Sequence, residues 1–219
     1  MNKLSFSLLA LVAISGLAQA TTVSFTGGSS STTGAVGNTR IFSGITVSGD
    51  SSTTGLSPWA TAYLGHYASG LGVTNAAEIL AGGGSTLHTV DNLGGFDRVV
   101  FDFGASTVLQ QIGLSAFGDT DITVWYYNAS NVWTSLETNL GGTANRTATV
   151  NTLAQAASKW AVGAYILNTN DAFKINSVTF ALAPAPPAPT GVPDSGSTLL
   201  FLGFGMGLLF LAKRKAVAC

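Results

Sequence analysis

Short apolar runs alternate with clusters of turn-forming residues along most of the chain, and a longer apolar segment lies at each end. The clearest run covers residues 121–127, where Ile122, Val124 and Tyr126 alternate with the side chains between them. This period of two is typical of a strand with one buried face. The pattern therefore predicts strands, and it places the opposite side chains of this strand, Trp125 among them, away from the core.

Eight further segments have the same strand character. They are residues 22–25, 41–47, 59–67, 98–103, 107–117, 133–140, 160–167 and 173–182. In the last of them the alternation slips at Asn176 and Ser177, which predicts a β-bulge. Short helices are predicted only at 75–80 and 153–159. Many short strands between turns favour an all-β fold, and we expect a single jelly-roll-like β-sandwich over residues 21–183.

The N-terminal apolar segment has the features of a secretory signal peptide. Lys3 precedes an apolar run that reaches Leu17, and Ala18, Gln19 and Ala20 then form a small-x-small pattern. Signal peptidase recognises this pattern, so we expect cleavage after Ala20 and removal of residues 1–20. An uncut membrane anchor is the alternative, but no basic residue directly follows the apolar run.

The C-terminal end combines a linker, a short motif, an apolar run and a basic cluster. Residues 184–191 form a Pro/Ala linker, which proline keeps extended. The motif that follows consists of Val192, Pro193, Asp194, Ser195 and Gly196. Residues 197–212 are predicted to form a transmembrane helix, although the run is short for one. The basic cluster consists of Lys213, Arg214 and Lys215, a stop-transfer signal that remains in the cytoplasm.

This arrangement resembles the PEP-CTERM sorting signals that exosortases read, in the variant with a VPDSG motif. The resemblance covers residues 192–219. It implies a membrane-anchored precursor that exosortase cleaves near the motif, and a mature form at the cell surface or in an extracellular matrix with exopolysaccharide. A C-terminal anchor that remains uncut is the alternative.

Composition narrows the function of the exported segment. Only 9% of the chain is charged, and residues 21–183 carry nine acidic and five basic residues. Without a basic cluster this segment is not expected to bind nucleic acid. The one cysteine is Cys219, so no disulfide can form within residues 21–183. We expect the core, or a bound ion, to stabilise the domain.

The middle of the chain resembles an uncharacterised family of exosortase-dependent surface proteins. The shared elements are Gly-Leu-Gly-Val at 70–73, His-x-Val-Asp-Asn at 88–92 with Gly95 and Asp97 after it, an apolar strand, and Asp-x-Asp at 119–121. The resemblance supports surface localisation and implies no activity.

Most of the acidic residues of the domain fall in this stretch, at predicted loop ends. Hard oxygen ligands of this kind suit calcium, which takes six to eight oxygens. The candidate ligands are Glu78, Asp91, Asn92, Asp97, Asp119 and Asp121. The alternative is turn chemistry, because Asp and Asn side chains accept hydrogen bonds from nearby backbone amides. No other cofactor is expected.

Catalysis is not expected. The chain has two histidines, His66 and His88, and neither a Gly-x-Ser-x-Gly elbow nor a His-Glu-x-x-His motif. The aromatic residues suggest another role: Trp125 and Tyr127 share a face opposite the predicted core face, where sugars could stack. The leading hypothesis is a non-enzymatic surface or matrix protein with a structural or adhesive role. The alternatives are a carbohydrate-binding module for exopolysaccharide and a secreted hydrolase.

Overall fold

Strands make up most of the chain that the computed structural model describes, namely residues 19–30, 37–80, 88–151, 153–167 and 169–184. Within these ranges there are twelve strands and one short helix. In chain order the elements are β1 (Thr21–Ser24), β2 (Thr39–Phe42), β3 (Ile45–Ser52), β4 (Ala60–Tyr67), β5 (Gly70–Thr74), α1 (Ala76–Leu80), β6 (Val90–Asp91), β7 (Phe96–Ala116), β8 (Ile122–Tyr127), β9 (Trp133–Asn139), β10 (Arg146–Thr149), β11 (Ala157–Ala164) and β12 (Ala172–Leu182).

The longest strand, β7, takes part in two different sets of pairings. Its first part, up to Asp102, lies between β3 and β11. Its second part, from Thr107, pairs with β12 and, from Gln111, with β10. Gly104 lies between the two parts with φ of +68°, in the left-handed region. The sequence predicted two strands here, and the structure has one strand with an irregular centre.

All twelve strands belong to one hydrogen-bonded sheet, in the order β1-β12-β5-β4-β3-β7-β11-β8-β9. Strand β10 pairs with β7, β2 with β3 and β6 with β12. Strand β12 pairs with both β5 and β7. The strands β12, β5, β4, β3 and β7 therefore form a closed series in which each is hydrogen-bonded to the next and the last is hydrogen-bonded to the first. The all-β prediction is confirmed. The predicted sandwich of two separate sheets is replaced by one continuous sheet, because β7 and β12 connect its two parts.

Several local predictions can be compared directly with the structure. The helix predicted at 75–80 is present as α1, whereas the one predicted at 153–159 is wrong, because β11 begins at Ala157. The segment 41–47 contains a turn at Ser43 and Gly44 that joins β2 to β3. The bulge predicted in β12 is confirmed by a shift of register between Ile175 and Ser177.

The main core is formed by the inward faces of the strands. Val99 and Phe101 of β7 belong to it, as do Ile122 and Val124 of β8, as the alternation predicts. A smaller apolar cluster lies on the other face of β7, β8 and β11, where Val100, Trp125 and Ala161 pack together. The two faces of β7 therefore serve different environments.

Gly72 explains part of the Gly-Leu-Gly-Val element. A Cβ atom built on Gly72 would overlap the carbonyl oxygen of His88, so no other residue fits without moving the backbone. The absence of a side chain at Gly72 lets β5 lie against the segment before β6. The glycine therefore positions the segment that carries Asp91.

The chain divides into two units, Met1–Ala183 and Pro184–Cys219, and Pro184 alone is described in the second. Several predicted features lie outside the described residues: the signal peptide up to Ala18, the linker from residue 185, the motif at 192–196, the helix at 197–212 and the basic cluster at 213–215. Ala20 is described and exposed. In the described ranges, no helix has the length and apolar character needed to cross a membrane.

Candidate functional site

The structure divides the predicted calcium ligands between two acidic groups. In each group, one carboxylate oxygen per residue lies within 4.8 Å of the others. The first acidic group consists of Glu78, Asp91 and Asp97, and the second consists of Asp119, Asp121 and Asp171. Asn92 belongs with the second group, because its Nδ2 donates a hydrogen bond to Asp171 Oδ2 at 2.8 Å. The six predicted residues therefore do not form one site.

Glu78 is held by the start of α1. Asn75 caps the helix, since its Oδ1 accepts hydrogen bonds from the backbone amides of Ala77 and Glu78 at 3.0 and 3.1 Å. In return Glu78 Oε2 accepts the backbone amide of Asn75 at 2.7 Å. This reciprocal capping box fixes the carboxylate. Burial raises the pKa of Glu78 to about 7, and the nearby carboxylate of Asp91 adds to the shift.

Asp91 is fixed by the turn that follows β6. Its Oδ2 accepts the Thr89 hydroxyl at 2.8 Å and its Oδ1 accepts the backbone amide of Leu93 at 3.0 Å. Burial raises the pKa of Asp91 above its ordinary value, against the effect of these two bonds. The predicted alternative of turn chemistry therefore describes part of what Asp91 does.

Asp97 differs from the other two members of the first acidic group. It lies near the start of β7 with an exposed fraction of 0%. Neither of its carboxylate oxygens has a hydrogen-bond partner of acceptable geometry. Burial raises its pKa well above the ordinary value, and the neighbouring carboxylates of Asp91 and Glu78 raise it further. The side chains of Ser51 and Asn75 lie near enough to oppose this shift.

The second acidic group is built into the backbone of its loops. Asp119 pairs with Asp171 in an isolated bridge. The amide of Tyr165 donates to Asp171 Oδ2 at 2.8 Å, and the amide of Gly141 donates to Asp121 Oδ1. These bonds tie three loops together. Sequence reasoning missed Asp171, because nothing local shows that a residue just before β12 lies beside the Asp-x-Asp element.

Three tryptophans surround a buried arginine on the outer face of the sheet. The guanidinium of Arg98 lies 3.9 Å from the ring centre of Trp59, 4.5 Å from that of Trp133 and 5.9 Å from that of Trp125. Arg98 also forms an ion pair with Asp50 at 2.8 Å. The same three indoles line a cavity of about 370 Å³. We call this feature the tryptophan pocket.

The predicted ligand face, which carries Trp125 and Tyr127, lies on the outer side of the sheet, but other aromatic side chains cover it. Trp125 is on the outer face, yet it is only 5% exposed, because Trp59 packs on it edge to face at 5.6 Å. Tyr127 is half-buried, with its ring centre 5.1 Å from that of Trp133 and the Lys159 ammonium 5.9 Å away. The expectation that Trp125 is exposed is wrong, because two tryptophans outside the predicted pair also occupy this face.

His88 has a structural environment. Its Nδ1 is hydrogen-bonded to the Thr74 hydroxyl at 2.9 Å, and its ring stacks on Tyr67 at 5.8 Å. It is 3% exposed and has φ of +34°. Burial lowers the pKa of His88, with a smaller effect from the positive charge of Lys174. The contacts with Thr74 and Tyr67 enclose the imidazole, and burial disfavours its charged form.

Comparison with known proteins gives one match at the level of sequence families. Residues 191–216 match the family described as "VPDSG-CTERM motif". The chain carries a VPDSG-CTERM motif. The VPDSG-CTERM motif supports a PEP-CTERM-like C-terminal signal sorted by exosortase, as the sequence predicted. It implies exosortase-dependent processing and indicates an exported, membrane-associated precursor. The match does not extend to the β domain, and no curated protein matches the chain.

The solved structures that are similar to this protein include two carbohydrate-binding modules. One is CBM32-3 from a family 31 glycoside hydrolase of Clostridium perfringens, with 15% identity over 42% of this chain and 69% of that one, at a TM-score of 0.29. Another is the CBM32 of AlyQ in complex with 4,5-unsaturated mannuronic acid, with 14% identity over 43% and 81%, at 0.26. A third is a Ruminococcus gnavus GH29 fucosidase in complex with fucose, with 15% identity over 42% and 18%, at 0.26.

Proposed function

We propose that the protein is an exported cell-surface or extracellular-matrix protein that exosortase processes at its C-terminus, and that its β domain has a structural or adhesive role without catalysis. The match of residues 191–216 to the VPDSG-CTERM motif carries this proposal. Signal peptidase removes residues 1–20, and the basic cluster holds the precursor in the membrane until the tail is cut. The mature form then resides at the surface or in the matrix.

Changing the basic cluster tests the sorting step. In a host that contains exosortase, a variant with Lys213, Arg214 and Lys215 all changed to Gln is expected to lose retention and processing, because the stop-transfer charge is gone. Immunoblotting of membrane, surface and medium fractions, with the mass of the mature form, measures this. Lys159→Gln is the matched control, since it removes a partly exposed lysine from the domain. Normal surface delivery of the triple variant would contradict the proposal.

The environments of the titratable groups support a role without catalysis. Glu78 caps a helix, both oxygens of Asp91 accept hydrogen bonds, and His88 is enclosed by Thr74 and Tyr67. Each of these groups performs a structural task that accounts for its position. A secreted hydrolase remains the third hypothesis, and hydrolysis of purified exopolysaccharide by the wild-type protein would favour it.

A second candidate function is carbohydrate binding in the tryptophan pocket. The observation that favours it is a cavity of about 370 Å³ that Trp59, Trp125 and Trp133 line together. Indole faces bind the apolar faces of sugar rings, and Trp59 and Trp133 remain partly exposed. The ligand would be exopolysaccharide of the producing cell.

Binding to exopolysaccharide purified from the producing strain tests this second candidate. We expect Trp133→Ala to weaken binding roughly 3- to 10-fold, the effect of losing one stacking contact. Phe117→Ala is the control, because Phe117 is an exposed aromatic residue that does not line the pocket. Equal affinity of wild type and Trp133→Ala in isothermal titration calorimetry would refute a role of the pocket.

A further inference from the structure

We propose that the first acidic group, Glu78, Asp91 and Asp97, binds a divalent cation, and that this cation is calcium. Carboxylate oxygens are the ligands that calcium prefers, and sites with several of them bind it rather than softer metals. The proposal concerns the stability of the domain and is independent of how the tail is sorted.

Asp97 is the observation that points to a ligand. Asp97 is 0% exposed, and although the side chains of Ser51 and Asn75 lie near its carboxylate, neither oxygen accepts a hydrogen bond of acceptable geometry. A buried carboxylate with such weak partners is unfavourable in a protein interior. Its oxygen lies within 4.8 Å of oxygens of both Glu78 and Asp91. A cation among the three would supply the missing partner for Asp97 and offset the repulsion among the carboxylates.

The three oxygens are close enough together to contact one ion. Calcium–oxygen distances are about 2.3–2.6 Å, so two ligands on opposite sides of the ion are about 4.6–5.2 Å apart. Oxygens that all lie within 4.8 Å of one another can therefore contact the same ion. Magnesium dehydrates reluctantly and usually keeps several water ligands, so a group of three carboxylates favours calcium.

The backbone already holds two of the three carboxylates in place. The capping box fixes Glu78, and the turn after β6 fixes Asp91. Each carboxylate oxygen has a second lone-pair direction besides the one that these hydrogen bonds use. The group can therefore bind an ion without losing the bonds that define its geometry.

Solvent can approach the site from a neighbouring cleft of about 400 Å³. Ser51 and Asn75, whose side chains lie near Asp97, line this cleft together with Gly94 and Gly95. Such a cleft gives an ion a route of entry, and it admits water molecules as the remaining ligands. Three carboxylates with water would complete the six to eight oxygens that calcium requires.

The second acidic group provides a comparison in the same molecule. Its oxygens accept hydrogen bonds from backbone amides and from Asn92, as in a loop-anchoring network. It also has three carboxylates within 4.8 Å of one another. A general effect of calcium on acidic residues would act on both groups, whereas specific binding acts on the first alone.

A thermal melt of the full chain in detergent at pH 7.5, with calcium, with magnesium and with chelator, tests the proposal. At calcium 100-fold above Kd we expect Tm to rise by about 5–10 °C relative to chelator, and magnesium to give a smaller rise. Asp97→Asn removes a ligand at similar volume, and the rise is expected to disappear. Glu78→Gln keeps the cap and removes a charged ligand, so it serves if Asp97→Asn does not fold.

Asp121→Asn is the matched control and is expected to retain the calcium-dependent rise. The proposal is overturned if calcium leaves the wild-type Tm unchanged and calorimetry detects no binding. It is also overturned if the rise is equal in wild type and Glu78→Gln, or if magnesium stabilises more than calcium. The proposal is also overturned if the wild type does not respond to calcium and Asp97→Asn is more stable than the wild type. In that case the three carboxylates are held together by shared protons and not by an ion.

Discussion

Arg98 is buried at 1% exposure because its charge has partners on several sides. Asp50 lies directly across from it on β3 and forms the ion pair at 2.8 Å, and the indoles of Trp59 and Trp133 lie against the guanidinium. An arginine stacked between aromatic rings gains cation–π attraction as well as the ion pair. The buried guanidinium of Arg98 therefore depends on Asp50 for its counter-charge.

At the scale of residues, we predict that Asp50→Asn lowers the free energy of unfolding by about 3 kcal/mol, because a buried guanidinium loses its counter-charge. Urea unfolding followed by tryptophan fluorescence measures the loss. Asp102→Asn is the control. It breaks the ion pair with Lys159 at 2.9 Å, in which both side chains are partly exposed, so a loss below about 1 kcal/mol is expected. Equal losses would show that the burial of Arg98 does not depend on Asp50.

Residue types and spacing selected five of the six residues in the two acidic groups, but they did not show how the residues are grouped. Asp91 and Asp97 are close in sequence, and their pairing within one group could be expected. The separation of Asp119 and Asp121 from them, and the presence of Asp171, depend on which strands become neighbours. The burial of Trp125 likewise depends on Trp59, which lies far from it in the chain.

The irregular centre of β7 allows one strand to serve two parts of the sheet. Gly104 adopts φ of +68°, and its amide donates to Asp102 Oδ1 at 3.0 Å. A Cβ atom at Gly104 would meet nothing within 4 Å, so only the backbone conformation selects glycine there. The residue is therefore required by conformation and not by packing.

At the scale of elements, we predict that Gly104→Ala destabilises the protein by roughly 1–2 kcal/mol, the cost of a left-handed conformation for a residue with a Cβ atom. Urea unfolding checks the value. Gly142→Ala is the control, since a Cβ there also meets nothing within 4 Å and its φ is not positive. It is expected to change stability by less than about 0.5 kcal/mol. If Gly104→Ala leaves the free energy of unfolding unchanged, the backbone around residue 104 does not require the left-handed conformation.

Strands were easier to predict than their pairings. Alternation identified β8 and β12 closely, because each has buried side chains facing the core, whereas β9 was located by the glycine turn that follows it. It could not show that 98–103 and 107–117 form one strand, since a turn-forming glycine separates them in the sequence. The continuous sheet follows from long-range hydrogen bonds between β12 and β5 and between β12 and β7, which leave no local pattern.

At the scale of the whole molecule, β12 connects most of the sheet. It pairs with β1, β5, β6 and β7, and its side chains Phe173, Ile175 and Val178 are fully buried in the main core. Of the first and last strands in the described residues, β1 pairs with one strand and β12 pairs with four. Loss of β12 would expose both the core and the edges of its neighbours.

We therefore predict that a chain ending at Asn170 does not fold, whereas a chain ending at Ala183 gives the same melting temperature as the full chain. The shorter chain lacks β12, while the longer one keeps every described strand. Circular dichroism and limited proteolysis distinguish the two. Protease resistance of the chain ending at Asn170 would show that β12 is an accessory strand.

In the exported protein that we propose, the pairing of the first strand with the last has a consequence for the order of folding. Thr21 lies opposite Phe180, and Thr22 and Thr179 share a hydrogen bond between their hydroxyls across 157 positions of sequence. A chain that crosses a membrane from its N-terminus releases β1 long before its partner emerges. The strand β1 can then pair with β12 only when nearly the whole domain has crossed. The last strand of the domain is thus needed to complete the sheet that the first strand begins.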